Sequence, residues 1–127
     1  MESAARSKLI LVVDDDVRTA RVLARMLRDD GFEAEIARDG AAAIARLSRE
    51  PAPKVLITDL RMPHADGWAV ARYARTQAPD ICVFVITGYP ERAKAWASGA
   101  GGATVLTKPV DYRTLSTGIR EAVGDAV

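Results

Sequence analysis

Short apolar runs alternate along the chain with segments whose apolar positions recur every three or four residues. The runs have the length of buried strands, whereas the three- and four-residue recurrence is typical of one face of a helix. In Val17–Asp30, for example, the recurring apolar positions include Ala20, Leu23, Ala24 and Leu27. The pattern therefore predicts a regular alternation of strands and helices over most of the chain.

Five strands and five helices follow from this pattern. The predicted strands are Lys8–Val13, Phe32–Ala37, Val55–Thr58, Ile81–Thr87 and Ala103–Leu106. The predicted helices are Val17–Asp30, Gly40–Ser48, Trp68–Thr76, Pro90–Ser98 and Asp111–Val123. Strict alternation of this kind specifies an α/β fold, in which helices cover both faces of a parallel sheet. Binding sites in such folds lie outside the carboxyl ends of the strands.

Polar side chains stand at the carboxyl ends of four predicted strands. Asp14 and Asp15 follow the first strand, Asp59 follows the third and Lys108 the fifth, while Thr87 ends the fourth. Because these ends share one edge of a parallel sheet, we expect three carboxylates, a hydroxyl and an ammonium group to converge. Clustered carboxylates repel one another unless a cation compensates them, and their oxygen atoms suit Mg²⁺. Such a set suits phosphoryl transfer, with a carboxylate as the nucleophile.

Composition and charge narrow the class of protein. The 127 residues are enough for one domain with its own core. Because 18 Lys and Arg residues nearly balance 17 Asp and Glu residues, no broad basic surface for nucleic acid is predicted. No apolar run has the length of a membrane span, and the first residues lack the apolar segment of a signal peptide. Because the chain has one cysteine, an internal disulfide is excluded. We expect a cytoplasmic protein that binds neither nucleic acid nor membranes.

The motifs at the strand ends resemble those of a known family. They are VVDDD after the first strand, TDLRMP at the third, ITG at the fourth and the pair Lys108-Pro109 after the fifth. In this combination and order they resemble the receiver domain of bacterial two-component response regulators, such as the chemotaxis response regulator. The resemblance covers residues 8–124. It implies one receiver domain over residues 1–127, with residues 1–7 as a flexible N-terminal tail, and a flavodoxin-like, doubly wound sheet with strand order 2-1-3-4-5.

The resemblance implies a metal site and a phosphoacceptor among the acidic residues. Asp59 is the implied phosphoacceptor. Asp15 and Asp59 are the implied direct ligands of Mg²⁺, Asp14 acts through a water molecule, and the backbone carbonyl group of Arg61 supplies another ligand. Asp16 lies outside this set, and we expect it to cap the first helix, where a carboxylate satisfies free N–H groups.

The resemblance also implies which residues contact the phosphoryl group and which set its lifetime. Thr87 and Lys108 are its implied contacts, and Lys108 forms a cis peptide bond with the following proline. Receivers usually have Tyr or Phe three residues before this lysine, whereas this chain has Val105, which has no ring to move inward on phosphorylation. Arg61 and Tyr89 flank the path of the hydrolytic water in such domains. Because neither orients water well, slow dephosphorylation is expected.

By the same resemblance, the domain is a phosphorylation-dependent switch. It accepts a phosphoryl group from a histidine kinase or a histidine phosphotransfer protein and changes its binding to a downstream protein. It catalyses its own phosphorylation and dephosphorylation, but it is not an enzyme with conventional turnover. A homodimer through the face formed by the fourth helix, the fifth strand and the fifth helix is a further implication.

Two other functions share part of this chemistry. A pseudo-receiver has the same fold without phosphorylation and acts as a protein-interaction module, but the intact acidic pair, acceptor, threonine and lysine argue against it. A hydrolase of the haloacid dehalogenase type also forms an aspartyl phosphate. That family needs D-x-D-x-[TV] after the first strand, and the fifth position here is Arg18. Its nucleophile follows the first strand, whereas the best acceptor in this chain follows the third.

Overall fold

Strands and helices alternate along the chain as the apolar pattern predicted. The computed structural model describes residues 8–61, 66–91, 93–94 and 102–124. The strands are β1 Leu9–Val13, β2 Glu33–Ala37, β3 Val55–Asp59, β4 Cys82–Thr87 and β5 Thr104–Thr107. The helices are α1 Val17–Asp29, α2 Gly40–Leu47, α3 Gly67–Gln77 and α4 Tyr112–Val123. Each of these boundaries lies within one residue of the predicted one. Differences of this size are usual because the ends of an element are less well defined than its interior.

Among the described residues the structure defines the bounds of four helices, whereas the sequence predicts five over the whole chain. The remaining helix, predicted over Pro90–Ser98, lies largely outside the described residues, and its described residues 90, 91, 93 and 94 are helical. The tail predicted for residues 1–7 also lies outside the described part of the chain. No helix among the described residues is both long and apolar enough to cross a membrane.

The five strands form one parallel sheet in the order β2-β1-β3-β4-β5. The order implied by the family resemblance is therefore confirmed, and the fold is flavodoxin-like. The chain passes from β1 outward to β2 and then returns past β1 to β3, so the winding direction reverses between β1 and β3. The crevice at the carboxyl ends of these two strands is where such sheets bind their ligands.

The core consists of two apolar layers, one on each face of the sheet. Neighbouring residues of a strand point to opposite faces, so β1 contributes Ile10 and Val12 to one layer and Leu11 and Val13 to the other. Helices α1 and α4 cover the first face, and α2 and α3 cover the second. All five residues of β1 are buried, which explains why this strand is apolar without interruption.

Candidate functional site

Three carboxylates meet at the carboxyl ends of β1 and β3. Asp14 and Asp15 directly follow β1, and Asp59 is the last residue of β3. One oxygen atom from each of the three side chains lies within 4.8 Å of the others. Asp59 is buried, Asp14 is half-buried and Asp15 is exposed. The convergence that the sequence predicted for these residues is present in the structure.

Lys108 joins this cluster from the end of β5. Its Nζ atom lies 3.1 Å from Oδ2 of Asp59, and the exposed fractions of the two side chains are 45% and 7%. The N–H group of Lys108 donates to the carbonyl group of Thr87, which extends the pairing of β4 and β5 to this residue. The peptide bond between Lys108 and Pro109 is cis, as the resemblance implied. The buried carboxylate of Asp59 therefore has a cation fixed beside it.

The charge of this cluster is only partly compensated. Burial raises the pKa of Asp14, and the neighbouring carboxylates of Asp59 and Asp15 raise it further. A hydrogen bond of 2.9 Å from the N–H group of Asp16 to Asp14 and the charge of Lys108 act in the opposite direction. Because the described residues bring three carboxylates and one ammonium group together, a hard divalent cation with oxygen ligands fits the donor set.

Thr87 ends β4 at the same edge of the sheet. Its side chain is buried, and its hydroxyl oxygen accepts a hydrogen bond of 3.0 Å from the N–H group of Tyr89. A hydroxyl group that accepts one hydrogen bond keeps its own proton for donation. Thr87 therefore holds the turn after β4 and keeps a proton that it can donate.

Arg61 and Tyr89 contact each other just beyond the carboxyl ends of β3 and β4. The guanidinium carbon of Arg61 lies 5.7 Å from the centroid of the Tyr89 ring, within the range of a cation–π interaction. The Tyr89 side chain is 62% exposed, so the pair lies on the solvent side. The family resemblance implied that both residues flank the site, but their mutual contact is visible only in the structure.

Gly67 lies against the end of β3, and no role for it was predicted from the sequence. Its N–H group donates a hydrogen bond of 2.9 Å to the carbonyl group of Leu60. A Cβ atom at this position would overlap the backbone carbonyl oxygen of Asp59 and lie 3.0 Å from the Cα atom of Leu60. Helix α3 thus begins in direct contact with the backbone of the predicted phosphoacceptor. In the sequence, the only indication of this contact is a glycine next to the start of a predicted helix.

Asp16 caps helix α1, as the sequence predicted. Its carboxylate accepts hydrogen bonds from the N–H groups of Arg18 and Thr19 and from the Thr19 hydroxyl group. These bonds hold the pKa of Asp16 below its usual range. Of the three consecutive carboxylates, two therefore face the cluster and the third stabilises the helix.

Comparison with known proteins agrees with this geometry. Residues 10–120 match the family model of the response regulator receiver domain. The chain is 38% identical over 109 residues to the response regulator receiver protein CpdR of Brucella abortus, a match that covers 85% of this chain and 90% of CpdR. It is 37% identical over 111 residues to the photosynthetic apparatus regulatory protein RegA of Rhodovulum sulfidophilum. That match covers 87% of this chain and 60% of RegA, so the chain spans less than two thirds of that relative.

Solved structures of response regulator receiver domains are also similar to this chain. A response regulator receiver protein from Sinorhizobium medicae WSM419 has a TM-score of 0.83 at 32% identity, with 93% of this chain and 95% of that chain covered. A CheY-like receiver domain protein from Methanospirillum hungatei JF-1 has a TM-score of 0.85 at 27% identity, with 94% and 95% covered. The match to the family model covers nearly the whole chain, and the fold and the carboxylate cluster are consistent with it. The chain therefore belongs to the family of response regulator receiver domains.

Proposed function

We propose that this domain accepts a phosphoryl group on Asp59 in a Mg²⁺-dependent reaction and then changes its binding to a downstream protein. Receiver domains of two-component response regulators are regulatory switches and not conventional enzymes, and they interact with histidine kinases or histidine phosphotransfer proteins. The observation that carries the assignment is the buried carboxylate of Asp59, paired with Lys108 and adjacent to Asp14 and Asp15.

The proposed reaction transfers the phosphoryl group from a nitrogen atom of the donor histidine to a carboxylate oxygen of Asp59. The new bond joins that oxygen to phosphorus, the bond from phosphorus to nitrogen breaks, and the imidazole leaves with the electron pair. Lys108 holds positive charge beside the phosphoryl oxygen atoms, and the Thr87 hydroxyl group donates a hydrogen bond to one of them. Positioning and charge neutralisation are the main contributions of a protein to this reaction.

The proposed metal site consists of Asp14, Asp15, Asp59 and the backbone carbonyl group of Arg61. Three carboxylate oxygen atoms within 4.8 Å of one another and the raised pKa of Asp14 support it, since both indicate negative charge that lacks full compensation. Mg²⁺ is usually held by one or two carboxylates together with water and phosphate oxygen atoms. When bound there, it supplies charge neutralisation to the transferred group.

We test this function with acetyl phosphate, a small phosphoryl donor that needs no protein partner. With Mg²⁺, intact mass spectrometry is expected to show one added phosphoryl group on the purified protein. With EDTA in place of Mg²⁺, the added mass should be absent. A protein that remains unmodified in Mg²⁺ and excess acetyl phosphate is a pseudo-receiver, and the proposal is then wrong.

Removal of a carboxylate from the cluster is expected to weaken Mg²⁺ binding and to stabilise the metal-free protein. Asp15→Ala should raise the Kd for Mg²⁺ about tenfold or more, which is a loss of about 1.4 kcal/mol or more. Asp14→Asn keeps the oxygen that accepts the Asp16 N–H group but removes a half-buried charge, so its melting temperature in EDTA should exceed that of the wild type.

Calorimetric titration and thermal melts measure these two effects. Glu33→Gln is the matched control, because Glu33 is exposed at the first residue of β2, at the opposite end of the sheet. Equal Mg²⁺ affinity in Asp15→Ala and the control would remove Asp15 from the metal site.

The phosphorylated state is expected to be long-lived because, by the family resemblance, Arg61 and Tyr89 flank the path of the hydrolytic water and neither orients water well. Tyr89→Ala and Arg61→Asn should each shorten its lifetime several-fold, since about 1.4 kcal/mol of barrier corresponds to a tenfold change in rate. Tyr89→Phe keeps the ring over which the guanidinium group lies, so its lifetime should match that of the wild type. A time course of intact mass after removal of acetyl phosphate measures the decay. Decay of the wild type within seconds, or no acceleration in Tyr89→Ala, would contradict shielding by this pair.

The proposal includes four features of the wider protein. The chain forms one domain over residues 1–127, it is located in the cytoplasm where histidine kinases obtain ATP, and it has no direct contact with nucleic acid.

A homodimer forms through the predicted helix Pro90–Ser98, β5 and α4. On this face Val105 pairs with Val85 and is half-buried. Because valine has no ring to move, we propose that the signal leaves the site through Thr87 and the turn that follows it.

A further inference from the structure

Thr58 brings a hydroxyl group into an apolar layer of the core. It lies in β3 and is fully buried, and its register partners in the neighbouring strands are Val13 of β1 and Val85 of β4. Both valines are buried in the layer that α2 and α3 cover. Valine is also a strong strand former and has nearly the shape of threonine, so strand propensity and packing do not account for the hydroxyl group. Because a buried hydroxyl group is costly without a hydrogen bond, its partner indicates what it does.

The Thr58 hydroxyl group donates a hydrogen bond to the backbone of the proposed phosphoacceptor. It lies 2.9 Å from the carbonyl oxygen of Asp59, and the bond is buried. The pairing of β1 with β3 ends at Val13 and Thr58, one residue before Asp59. The hydroxyl group therefore provides a donor for this carbonyl group just where the pairing with β1 ends.

The peptide group that joins Asp59 to Leu60 is held at both of its polar groups. Its N–H group, which belongs to Leu60, donates to the carbonyl group of Ile86 over 3.3 Å, which is long for such a bond. Its carbonyl group accepts the shorter bond from Thr58. Of the side chains in the described part of the chain, that of Thr58 is the one that bonds to this peptide group. The orientation of the peptide group therefore depends on one side-chain hydroxyl group and one long backbone bond.

The orientation of this peptide group decides where the chain runs after Asp59. Rotation about the bond between the Cα atom and the carbonyl carbon of Asp59 leaves its side chain in place but moves Leu60 and Arg61. The carbonyl group of Arg61 is proposed above as a ligand of the same metal ion as the Asp59 carboxylate. A fixed peptide group thus keeps these two ligands at a constant separation. Such precision matters, because a displacement of about 1 Å can cost about 100-fold in rate.

We propose that Thr58 is a positioning residue for phosphoryl transfer to Asp59. Its hydroxyl group holds the peptide group after Asp59 and thereby the arrangement of the Asp59 carboxylate and the Arg61 carbonyl group. Thr58 points to the opposite face of the sheet from Asp59, since neighbouring residues of a strand alternate, so it acts only through the backbone. This inference rests on the proposed function, because it concerns the rate of the same reaction at the same carboxylate.

Two substitutions of Thr58 separate the hydroxyl group from the shape of the side chain. Thr58→Val keeps the shape and removes the donor, so the buried carbonyl group of Asp59 loses its partner. Thr58→Ser keeps the donor and removes a methyl group. Phosphorylation by acetyl phosphate at saturating Mg²⁺ should be about tenfold slower in Thr58→Val, and the Kd for Mg²⁺ should rise several-fold. Thr58→Ser should stay within about twofold of the wild type in both measurements. Time courses of intact mass give the rates, and calorimetric titration gives the Kd.

Thermal melts separate positioning from stability. Both variants should melt at a lower temperature than the wild type, Thr58→Ser because it leaves a small cavity and Thr58→Val because it leaves a buried carbonyl group without its donor. Only Thr58→Val should be slow. Ser116→Ala is the matched control, because Ser116 is also buried and donates to a backbone carbonyl group, that of Arg113, but lies in α4 and outside the carboxylate cluster. If Thr58→Val does not fold, Thr58→Ser and Thr58→Ala give the same comparison, since they differ only in the hydroxyl group.

Each outcome supports or overturns the role of Thr58. A slow Thr58→Val beside a Thr58→Ser and a Ser116→Ala that react as fast as the wild type would support it. Equal rates in Thr58→Val and the wild type, or equal slowing in Thr58→Val and Thr58→Ser, would overturn it and leave the phosphorylation of Asp59 intact. Failure of acetyl phosphate to modify the wild type would instead contradict the proposed function and, with it, this role.

Discussion

Asp59→Asn is expected to abolish phosphorylation by acetyl phosphate and Mg²⁺. The asparagine amide has the shape of the carboxylate but lacks the anionic oxygen that attacks phosphorus, so it is not a nucleophile for this reaction. The Nζ atom of Lys108 lies 3.1 Å from Oδ2 of Asp59 and holds this buried carboxylate in place. Intact mass spectrometry should show no added phosphoryl group in the variant under conditions that modify the wild type completely.

The neighbouring carboxylates do not replace Asp59 in this reaction. Asp14 accepts the N–H group of Asp16, and the exposed Asp15 has no cation within ion-pair distance among the described residues. Asp15→Asn is therefore expected to slow phosphorylation without moving it to another residue. Stable phosphorylation of Asp59→Asn at a different position would refute the assignment of the acceptor.

Gly67→Ala is expected to destabilise the fold by about 3 kcal/mol and to slow phosphorylation. The added Cβ atom would overlap the backbone of Asp59 and Leu60, so either α3 or the end of β3 must move. Overpacking of a tight contact costs about 1–3 kcal/mol and occasionally more, and the backbone here is less able to yield than a side chain. Alanine gains at most about 1 kcal/mol of helix propensity over glycine, so the clash outweighs it.

Gly88→Ala is the matched control for this substitution. Gly88 also lies beside the site, directly after β4, but a Cβ atom there would meet no heavy atom within 4 Å. Its free energy of unfolding in urea should stay within about 0.5 kcal/mol of the wild type. If Gly67→Ala were as stable as Gly88→Ala and were phosphorylated at the same rate, the contact between α3 and the acceptor segment would have no functional importance.

Helix α1 and the strand ends show how far the sequence predicts the site. The apolar recurrence in α1, its cap at Asp16 and the carboxylates after β1 were all evident from the sequence, because each depends on residues within a few positions of one another. The order of the strands in the sheet was predicted only from the resemblance to a known family. Periodicity shows which face of a strand is buried, but it does not show which strand lies beside it.

The amino-acid sequence alone specifies the type and order of the elements over the described part of the chain, and it places polar side chains at the strand ends. Which of these side chains contact one another depends on the tertiary structure. Lys108 and Asp59 are 49 residues apart, and their contact depends on how β3, β4 and β5 are arranged in the sheet. The contact of Gly67 with the backbone of Asp59 and that of Arg61 with Tyr89 likewise join separate segments. Local patterns encode local conformation, whereas contacts between distant segments depend on the packing of the whole domain.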